Sequence, residues 1–270
     1  MIKKVLTIAG SDSGGGAGIQ ADLKTFQNLG VFGMSAITAL TAQNTLGVQG
    51  IWEVPPDFLE LQIRTVLSDI GADAVKTGMI FTGVLIETIA RVLKDYPLDF
   101  IVVDPVMTAK SGSRLLQEEA VKALKTRLFP LATIVTPNLD EGEVLTGKQV
   151  RTIQQMEDAA RTMMGMGCRS VLIKGGHLKS DTATDIFYDG IRFIRFESPF
   201  LPTPHTHGTG CTLSSALAAC LALGSPLPEA IRLANDYVTE AIRRAVPLGH
   251  GVSPVNHLAG GPESHRGSLT

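Results

Sequence analysis

The sequence predicts an α/β protein with a mostly parallel central sheet that is covered by helices on both faces. Short apolar runs of strand composition alternate with longer stretches of helical periodicity, and this alternation is typical of parallel strands joined by crossover helices. After the sixth run the pattern changes to two short runs around Asp189-Gly190, a dipeptide that favours tight hairpin turns. We therefore expect a three-layer α/β/α sandwich with an antiparallel hairpin at one edge.

The predicted strands are the short runs enriched in apolar and β-branched residues. The last two of them form the edge hairpin. In chain order they are Val5–Ala9, Ser35–Leu40, Ala74–Lys76, Phe100–Val103, Thr133–Thr136, Val171–Lys174, Asp185–Tyr188 and Ile191–Glu197.

The predicted helices lie between these strands as the crossovers that a parallel sheet requires. Two further helices follow the hairpin. The full set is Ile19–Leu29, Pro56–Leu67, Val84–Asp95, Glu118–Leu128, Ile153–Met166, Cys211–Leu223 and Pro228–Val246.

Length and composition indicate one domain. The chain has 270 residues, 44% of them apolar, which is enough to bury one large core. We expect this domain to span residues 1–259. The final segment, 260–270, loses its apolar residues and is expected to be a disordered tail.

Charge and cysteine content exclude several classes of function. Lys and Arg number 24 against 26 Asp and Glu, a net charge of −2, so no basic excess is available to hold a nucleic acid. The most apolar long segment, Leu213–Leu223, has about half the roughly 20 residues that a membrane span needs. Three cysteines without CxxC spacing fit a reducing compartment and give no zinc signature. We expect a cytoplasmic protein without nucleic-acid or membrane partners.

Polar or glycine-containing tetrads follow five of the predicted strands directly. In open α/β sheets, ligands bind beyond the carboxyl ends of the strands. We therefore expect these tetrads to converge on one rim and to form the functional site there. They are Gly10-Ser11-Asp12-Ser13, Lys76-Thr77-Gly78-Met79, Asp104-Pro105-Val106-Met107, Thr136-Pro137-Asn138-Leu139 and Lys174-Gly175-Gly176-His177.

The strongest local signal is the segment His207–Thr212, which leads directly into an alanine-rich apolar helix. Paired glycines, Gly208 and Gly210, let backbone amides turn toward a ligand at a helix N-terminus. Such amides would stabilise the charge of a migrating phosphoryl group. Cys211, whose thiolate a helix N-terminus favours, could take a proton from an attacking hydroxyl. In the alternative interpretation the glycines only form a tight loop and Cys211 is a small buried filler.

Two other glycine-rich segments resemble nucleotide-binding motifs without matching them. Gly14–Gly18 follows the first strand but has no G-x-G-x-x-G frame. We interpret it as a flexible rim over a small polar substrate, with Asp12 and Asp22 available as hydrogen-bond acceptors. Gly142–Lys148 matches the start of a Walker A loop, but Gln149 stands where Ser or Thr should bind magnesium. We do not expect it to bind phosphate.

Four polar residues at strand ends are candidates for a nucleotide and metal site. Asn138 and Glu141 have a spacing that puts both on one face of a starting helix. They could hold magnesium-bound water, since magnesium usually keeps several waters; the alternative is that they form a capping box. Asp104 is a second metal-side candidate, or a solvated turn residue. Lys174 could reach nucleotide phosphates, or it could snorkel to solvent.

Seven segments together resemble the ribokinase superfamily, specifically the branch that phosphorylates hydroxymethylpyrimidine and vitamin B6 compounds. The resemblance runs nearly end to end, and as a set the segments are far more specific than any single motif. They are IAGSDSGGGAGIQADLKTF from Ile8, SAITALTAQNTLGV from Ser35, VKTGM from Val75, VVDPVM from Val102, TPNLDE from Thr136, IKGGH from Ile173 and THGTGCTLSSA from Thr206.

This resemblance implies a ribokinase-like fold with two sites on the rim. It implies that Asn138, Glu141 and Lys174 act around ATP and Mg²⁺. It also implies a pyrimidine site in which Gln43 and Asp22 make polar contacts to the ring and its substituents. The residues implied for the anion hole are Gly208, Thr209, Gly210 and Cys211, with Cys211 as the catalytic base, and those implied for the pyrimidine site are Gly10, Ala17, Asp22, Gln43, Met79 and Val106.

The implied activity is the phosphorylation of 4-amino-5-hydroxymethyl-2-methylpyrimidine, and then of its monophosphate, in thiamine biosynthesis by a homodimeric enzyme. The triple glycine Gly14–Gly16 and the stretch Thr41–Thr45 are more similar to thiamine-pathway members. One alternative is a pyridoxine, pyridoxal or pyridoxamine kinase, alone or as a dual activity. Another is a non-catalytic nucleotide or vitamin sensor on the same fold. The segment Val252–Val255 differs from the family pattern, which leaves its role open.

Overall fold

Nine strands in the described part of the chain form one sheet. The computed structural model describes residues 1–107, 118–176 and 182–259. The strands lie in the order β3-β2-β1-β4-β5-β6-β7-β8-β9. Their bounds are β1 Lys4–Asp12, β2 Phe32–Asn44, β3 Gly47–Glu53, β4 Ala74–Thr77, β5 Phe100–Val103, β6 Ile134–Val135, β7 Val171–Ile173, β8 Thr182–Tyr188 and β9 Phe193–Pro199.

The middle of the sheet is parallel, as predicted. Strands β2, β1, β4, β5, β6 and β7, in this order, pair in parallel with one another. Strands β8 and β9 are antiparallel, which confirms the predicted edge hairpin. In the hairpin turn the Asp189 carboxylate accepts the N–H groups of Ile191 and Arg192. Strand β9 therefore begins at Phe193 instead of the predicted Ile191.

The sequence does not predict the strand at the opposite edge. Strand β3 pairs antiparallel with β2. Its residues, GVQGIWE, include two glycines, and none of the seven is buried. A strand without a buried face has no hydrophobic alternation by which it could be found. Strand β2 also runs on past the predicted end at Leu40 to Asn44, and this extension carries Gln43 to the functional edge.

All seven predicted helices are present, and one more follows β6. The π-helical turn Leu124–Leu128 continues the fourth helix. The additional helix starts just after Asn138. The bounds are α1 Gly18–Asn28, α2 Pro56–Asp69, α3 Gly83–Leu93, α4 Glu118–Ala123, α5 Leu139–Thr146, α6 Ile153–Met164, α7 Thr209–Ala222 and α8 Leu227–Arg243.

Helices cover both faces of the sheet. Successive side chains of a strand point to opposite faces, so Leu6 and Ile8 of β1 pack in one core and Val5 in the other. Buried residues of α2 to α6 belong to the first core, and those of α1, α7 and α8 belong to the second. The three-layer α/β/α sandwich is therefore confirmed. Helix α7 is buried from Thr212 to Ala222, and its small residues let it lie close to the sheet.

Some of the remaining predictions concern parts that the structure does not describe. The predicted tail, 260–270, and His177, the last residue of the fifth tetrad, lie outside the described residues. The single domain over 1–259 stays a prediction. In the ranges 1–107, 118–176 and 182–259, no helix has the length and apolar character to cross a bilayer. The three cysteines are free thiols.

Candidate active site

A cleft of about 820 Å³ lies at the carboxyl ends of the parallel strands. Gly10 near the end of β1 lines it, and the segments that follow β4, β5, β6 and β7 contribute Met79, Asp104, Asn138 and Lys174 to its wall. The predicted convergence of the strand-end tetrads is therefore confirmed. The N-terminal turn of α7 forms a further part of the wall, and α8 lines the far end.

The turn into α7 leaves three backbone amides without an acceptor at the cleft. Gly208 caps the helix in the left-handed conformation, with φ 83°. The N–H of Thr209 donates to the Thr206 carbonyl at 3.3 Å, so this amide is used within the turn. Among the described residues, no acceptor is bonded to the N–H of Gly208, Gly210 or Cys211, and all three residues line the cleft. Three of the four residues expected in an anion hole therefore present an unbonded backbone N–H, and their contact with an anion stays a prediction.

The Cys211 thiol does not have the favoured thiolate that the sequence predicts. Burial raises its pKa to about 11, against the opposing effect of the Lys76 ammonium and of a hydrogen bond from the Gly18 N–H. Loss of hydration therefore outweighs the two groups that favour the thiolate. The thiol is protonated at neutral pH in the ligand-free protein, and this corrects the expectation.

We expect alkylation of Cys211 by iodoacetamide to be slow at neutral pH in the ligand-free protein. Only the thiolate reacts, so the rate should rise about tenfold per pH unit and level off near pH 11, where the thiol titrates. Mass spectrometry of peptides after timed exposure follows Cys211 separately from Cys168 and Cys220. A rate that is already level at about pH 8 would show that the helix N-terminus prevails over burial.

Asp104 and Lys174 form an ion pair next to Gly210. Lys174 Nζ lies 3.0 Å from Asp104 Oδ1, and a Cβ on Gly210 would sit 3.4 Å from that Nζ. The hydroxyls of Thr136 and Ser214 also donate to Asp104. Burial opposes the charge of Lys174, but Asp104 raises its pKa. Lys174 therefore does not snorkel to solvent, and Asp104, only 2% exposed, is not a solvated turn residue.

Asn138 and Glu141 form the capping box of α5, the second of the two interpretations. Asn138 Oδ1 accepts the Glu141 N–H at 2.9 Å, and Glu141 Oε2 accepts the Asn138 N–H at 2.7 Å. Both residues also line the cleft. Burial raises the pKa of Glu141 to about 7, against the effect of Lys174. The described residues contain no group of three or more His, Cys, Asp or Glu that could hold a metal ion. The donors present here, the carboxylate of Glu141 and the amide of Asn138, offer oxygen atoms, the ligand type that Mg²⁺ and its waters take.

Five of the six residues expected around a pyrimidine line the cleft, and they combine an apolar wall with one amide side chain. Met79 and Val106 pack in a small apolar cluster. The Met79 sulfur would lie 3.1 Å from a Cβ on Gly10, so the glycine lets this wall close. Contacts with a pyrimidine stay a prediction. The five residues are Gly10, Ala17, Gln43, Met79 and Val106.

Asp22 is the exception among the six. Its side chain is fully buried and does not line the cleft. The carboxylate accepts the Lys76 ammonium at 2.8 and 2.9 Å, the Thr7 hydroxyl at 2.6 Å and the Ser215 hydroxyl at 2.5 Å. These donors occupy its acceptor positions. The structure therefore contradicts the expectation that Asp22 contacts the ring.

Asp12 lines the cleft and organises the glycine-rich turn. Its carboxylate accepts the N–H groups of Gly14, Gly16 and Ala17 and lies 2.8 Å from His207 Nε2. Burial opposes its charge, but the His207 hydrogen bond and these amides lower the pKa of Asp12 overall. The turn is therefore a hydrogen-bonded structure, and its role as a rim over the substrate stays a prediction.

His207 is a site residue that the sequence places only in a loop. Its Nε2 lies 3.4 Å from Gln43 Nε2, at the wall of the cleft. The backbone N–H of His207 donates to the Ser253 carbonyl, and the backbone carbonyl of His207 accepts the Val255 N–H. The segment Val252–Val255 therefore holds the turn before α7, which gives this segment a structural role. The signal in the sequence was the position of His207 directly before the paired glycines.

Part of the cleft wall carries none of the motifs found in the sequence. Residues of α8, of the end of β9 and of the segment after β9 form this part. The lining residues include Ser198, Pro199, Phe200, Leu201, Asn235, Val238, Thr239 and Ile242.

The sheet order, the cleft at the carboxyl ends of its parallel strands and the unbonded amides at α7 are those of a phosphotransferase of the ribokinase-like class. A profile of the phosphomethylpyrimidine kinase family matches residues 12–256. The chain belongs to this family.

Relatives and solved structures agree with this assignment. A hydroxymethylpyrimidine/phosphomethylpyrimidine kinase from Bacillus subtilis is 48% identical over 259 residues, which are 96% of each chain. The thiamine biosynthesis bifunctional protein ThiED of Geobacter sulfurreducens is 56% identical over 94% of this chain. The chain spans about half of that relative's length, 52%.

Two solved structures share the fold closely. The Bacillus subtilis pyridoxal kinase in an ADP complex has a TM-score of 0.90 at 43% identity and covers 96% of this chain and 98% of its own. The phosphomethylpyrimidine kinase of Clostridium difficile 630 has a TM-score of 0.80 at 44% identity, with 89% of this chain and 99% of its own covered. The predicted resemblance and fold class are confirmed.

Proposed function

We propose that this chain transfers a phosphoryl group from ATP to 4-amino-5-hydroxymethyl-2-methylpyrimidine and then to the resulting monophosphate, in thiamine biosynthesis. The proposal depends on one observation, the unbonded backbone amides of Gly208, Gly210 and Cys211 at the cleft, with Lys174 next to Gly210. A migrating phosphoryl group carries charge on its equatorial oxygens, and preorganised N–H donors stabilise that charge. The names of the family and of its relatives support the choice of substrates.

The acceptor substrate would lie against Met79 and Val106, with its ring edge at Gln43. The Gln43 amide offers both a donor and an acceptor, which suits the ring nitrogens and the amino group of an aminopyrimidine. The hydroxymethyl group would then lie near Cys211, which lines the same cleft. The thiolate of Cys211 would take the hydroxyl proton as the oxygen attacks.

The nucleotide would lie along the part of the cleft that α8 and the segment after β9 line, with its phosphates at Lys174 and the amides of Gly208, Gly210 and Cys211. Lys174 is held in place by Asp104, so its ammonium is preorganised for a phosphate oxygen. Asp104 and Glu141, with Asn138, would hold Mg²⁺ through its waters. When bound, Mg²⁺ neutralises charge on the phosphate oxygens.

A single substitution separates the capping role of Glu141 from its proposed metal role. In Glu141→Gln, the capping box remains because Gln suits the same position, whereas the charge is lost. We expect the thermal unfolding temperature to stay close to that of the parent and the Mg²⁺ concentration for half-maximal activity to rise by about tenfold or more. The measurement is a magnesium titration of turnover at fixed ATP.

Glu143→Gln is the matched control for this substitution. Glu143 lies on the same helix, where it accepts the Val150 N–H and pairs with Arg151, and it does not line the cleft. Its magnesium titration should match that of the parent. An unchanged titration in Glu141→Gln as well would remove Glu141 from the metal site.

The proposed function is tested by incubating the purified protein with ATP, Mg²⁺ and the hydroxymethylpyrimidine and by following both phosphorylated products by mass spectrometry. We expect the monophosphate to appear first and the diphosphate afterwards. Pyridoxal, pyridoxine and pyridoxamine are assayed beside it, because the pyridoxal kinase of Bacillus subtilis has the same fold at 43% identity. Higher kcat/KM for a B6 compound would favour that second candidate, and no turnover of either set would refute a kinase.

We also propose a cytoplasmic homodimer. The three free thiols fit a reducing compartment. Exposed apolar side chains near the β3 edge, including Leu40, Leu46 and Trp52, are suited to contact a second copy. Light scattering after size-exclusion chromatography should give twice the mass of 28.7 kDa; a monomeric mass across the working concentration range would refute the dimer.

A further inference from the structure

Lys76 is the third of the four residues of β4. It is fully buried, which is a rare setting for a lysine. Its ammonium lies 2.8 and 2.9 Å from the two carboxylate oxygens of Asp22, which is also fully buried. Burial opposes the charge of Lys76, but Asp22 raises its pKa above the usual value. Because the cost of desolvation offsets the attraction within a buried ion pair, stability alone is a weak reason for this one.

Helices α1 and α7 place the Lys76–Asp22 pair near Cys211. Asp22 lies one turn after Gly18 on α1, and Ser215 lies one turn after Cys211 on α7. The Ser215 hydroxyl donates to Asp22 at 2.5 Å, and the Gly18 N–H acts to lower the pKa of the Cys211 thiol. The Lys76–Asp22 pair therefore lies one helical turn behind the thiol.

Four charged groups face the thiol from the elements packed around it. They are Lys76 from β4, Asp22 from α1, Asp104 from the segment after β5 and Lys174 from the segment after β7. Asp104 and Lys174 line the cleft, whereas Lys76 and Asp22 do not. A ligand in the cleft therefore changes the surroundings of Asp104 and Lys174. Lys76 and Asp22 lie away from the cleft, so we expect their electrostatic effect on the thiol to be the same in the empty and the occupied site.

We propose that Lys76 and Asp22 are positioning residues that set how readily Cys211 releases and regains its proton, with Lys76 stabilising the thiolate and Asp22 opposing it. The proposal rests on the proposed role of Cys211 as the base in the first transfer. Lys76 and Asp22 do not line the cleft, so they would act on the reaction only through their effect on the Cys211 thiol.

The test is the pH profile of Cys211 alkylation by iodoacetamide in ligand-free Lys76→Met, Asp22→Asn and the double variant. We expect the midpoint to rise by at least about one pH unit without Lys76 and to fall by about as much without Asp22, because one nearby buried charge has an effect of this size. The double variant should return toward the parent. Lys3→Met, which breaks an exposed ion pair with Asp73, is the control and should leave the midpoint unchanged.

The opposite signs distinguish an electrostatic role from a structural one. Midpoints that move in the same direction in both single variants, or in neither, would overturn the proposal. Circular dichroism and thermal unfolding establish that each variant is folded. Lys76→Gln keeps an N–H donor toward Asp22 and replaces Lys76→Met where that variant does not fold; its midpoint should also rise.

The alkylation profile uses neither ATP nor a pyrimidine. It therefore remains informative even when the parent shows no kinase activity, a result that would refute the proposed function alone. Unchanged midpoints in an active parent would refute only the role of the ion pair.

Discussion

Gly208→Ala is expected to lower kcat for both phosphoryl transfers by about 10²-fold or more, the cost of losing one well-placed oxyanion donor. A Cβ at this position would lie 1.9 Å from the Gly16 carbonyl oxygen, so either the turn or the glycine-rich segment must move. Both movements displace the N–H groups of Gly210 and Cys211 from the migrating phosphoryl group. Steady-state kinetics with each acceptor substrate measure the loss.

Gly224→Ala is the matched control at the other end of the same helix. Gly224 also has a positive φ, 98°, but a Cβ there would have no neighbour within 4 Å. It shares the backbone strain of about 1 kcal/mol without the collision. We expect near-parental kcat and a thermal unfolding temperature lower by about 2–4 °C. If both substitutions reduced kcat equally, the collision at Gly208 would not be the cause.

The sequence predicts the part of the fold that depends on burial. Strands β1, β4 and β5 are buried on both faces, so apolar composition marks them, and their carboxyl ends then locate the cleft. The sequence does not predict strand β3, because none of its residues is buried. Helix α5 is short, and only its capping pair, Asn138 and Glu141, marks its start.

Residue type shows what a side chain can bond, but it does not show which donors the fold brings to it. Asp12 and Asp22 are both acceptors near the first strand, and the sequence offers both to a substrate. In the structure, the donors to Asp22 come from three elements distant in sequence, which supply Thr7, Lys76 and Ser215. Only tertiary packing brings these groups together. For the same reason the position of Cys211 at a helix N-terminus is visible in the sequence, whereas the burial that raises its pKa is not.

Cys211→Ala should separate the two transfers that the proposed function combines. We expect the first transfer to fall by about 10²-fold to 10⁴-fold, the usual contribution of general base catalysis. The attacking alcohol must lose a proton, whereas a phosphate monoester, with a second pKa of about 6, is already ionised at neutral pH and needs no base. The second transfer should therefore fall by less than about tenfold. Single-turnover assays started from each acceptor measure the two rates separately.

Cys220→Ala controls for the loss of a buried thiol from α7. Burial raises the pKa of Cys220 to about 11 as well, but this residue does not line the cleft, so both transfers should proceed at near-parental rates.

With the parent, the first transfer should accelerate as pH rises toward 11, because more of Cys211 becomes thiolate, while the second should not share this dependence. Equal losses of both transfers in Cys211→Ala would show that the thiol positions the phosphoryl group and does not accept the proton.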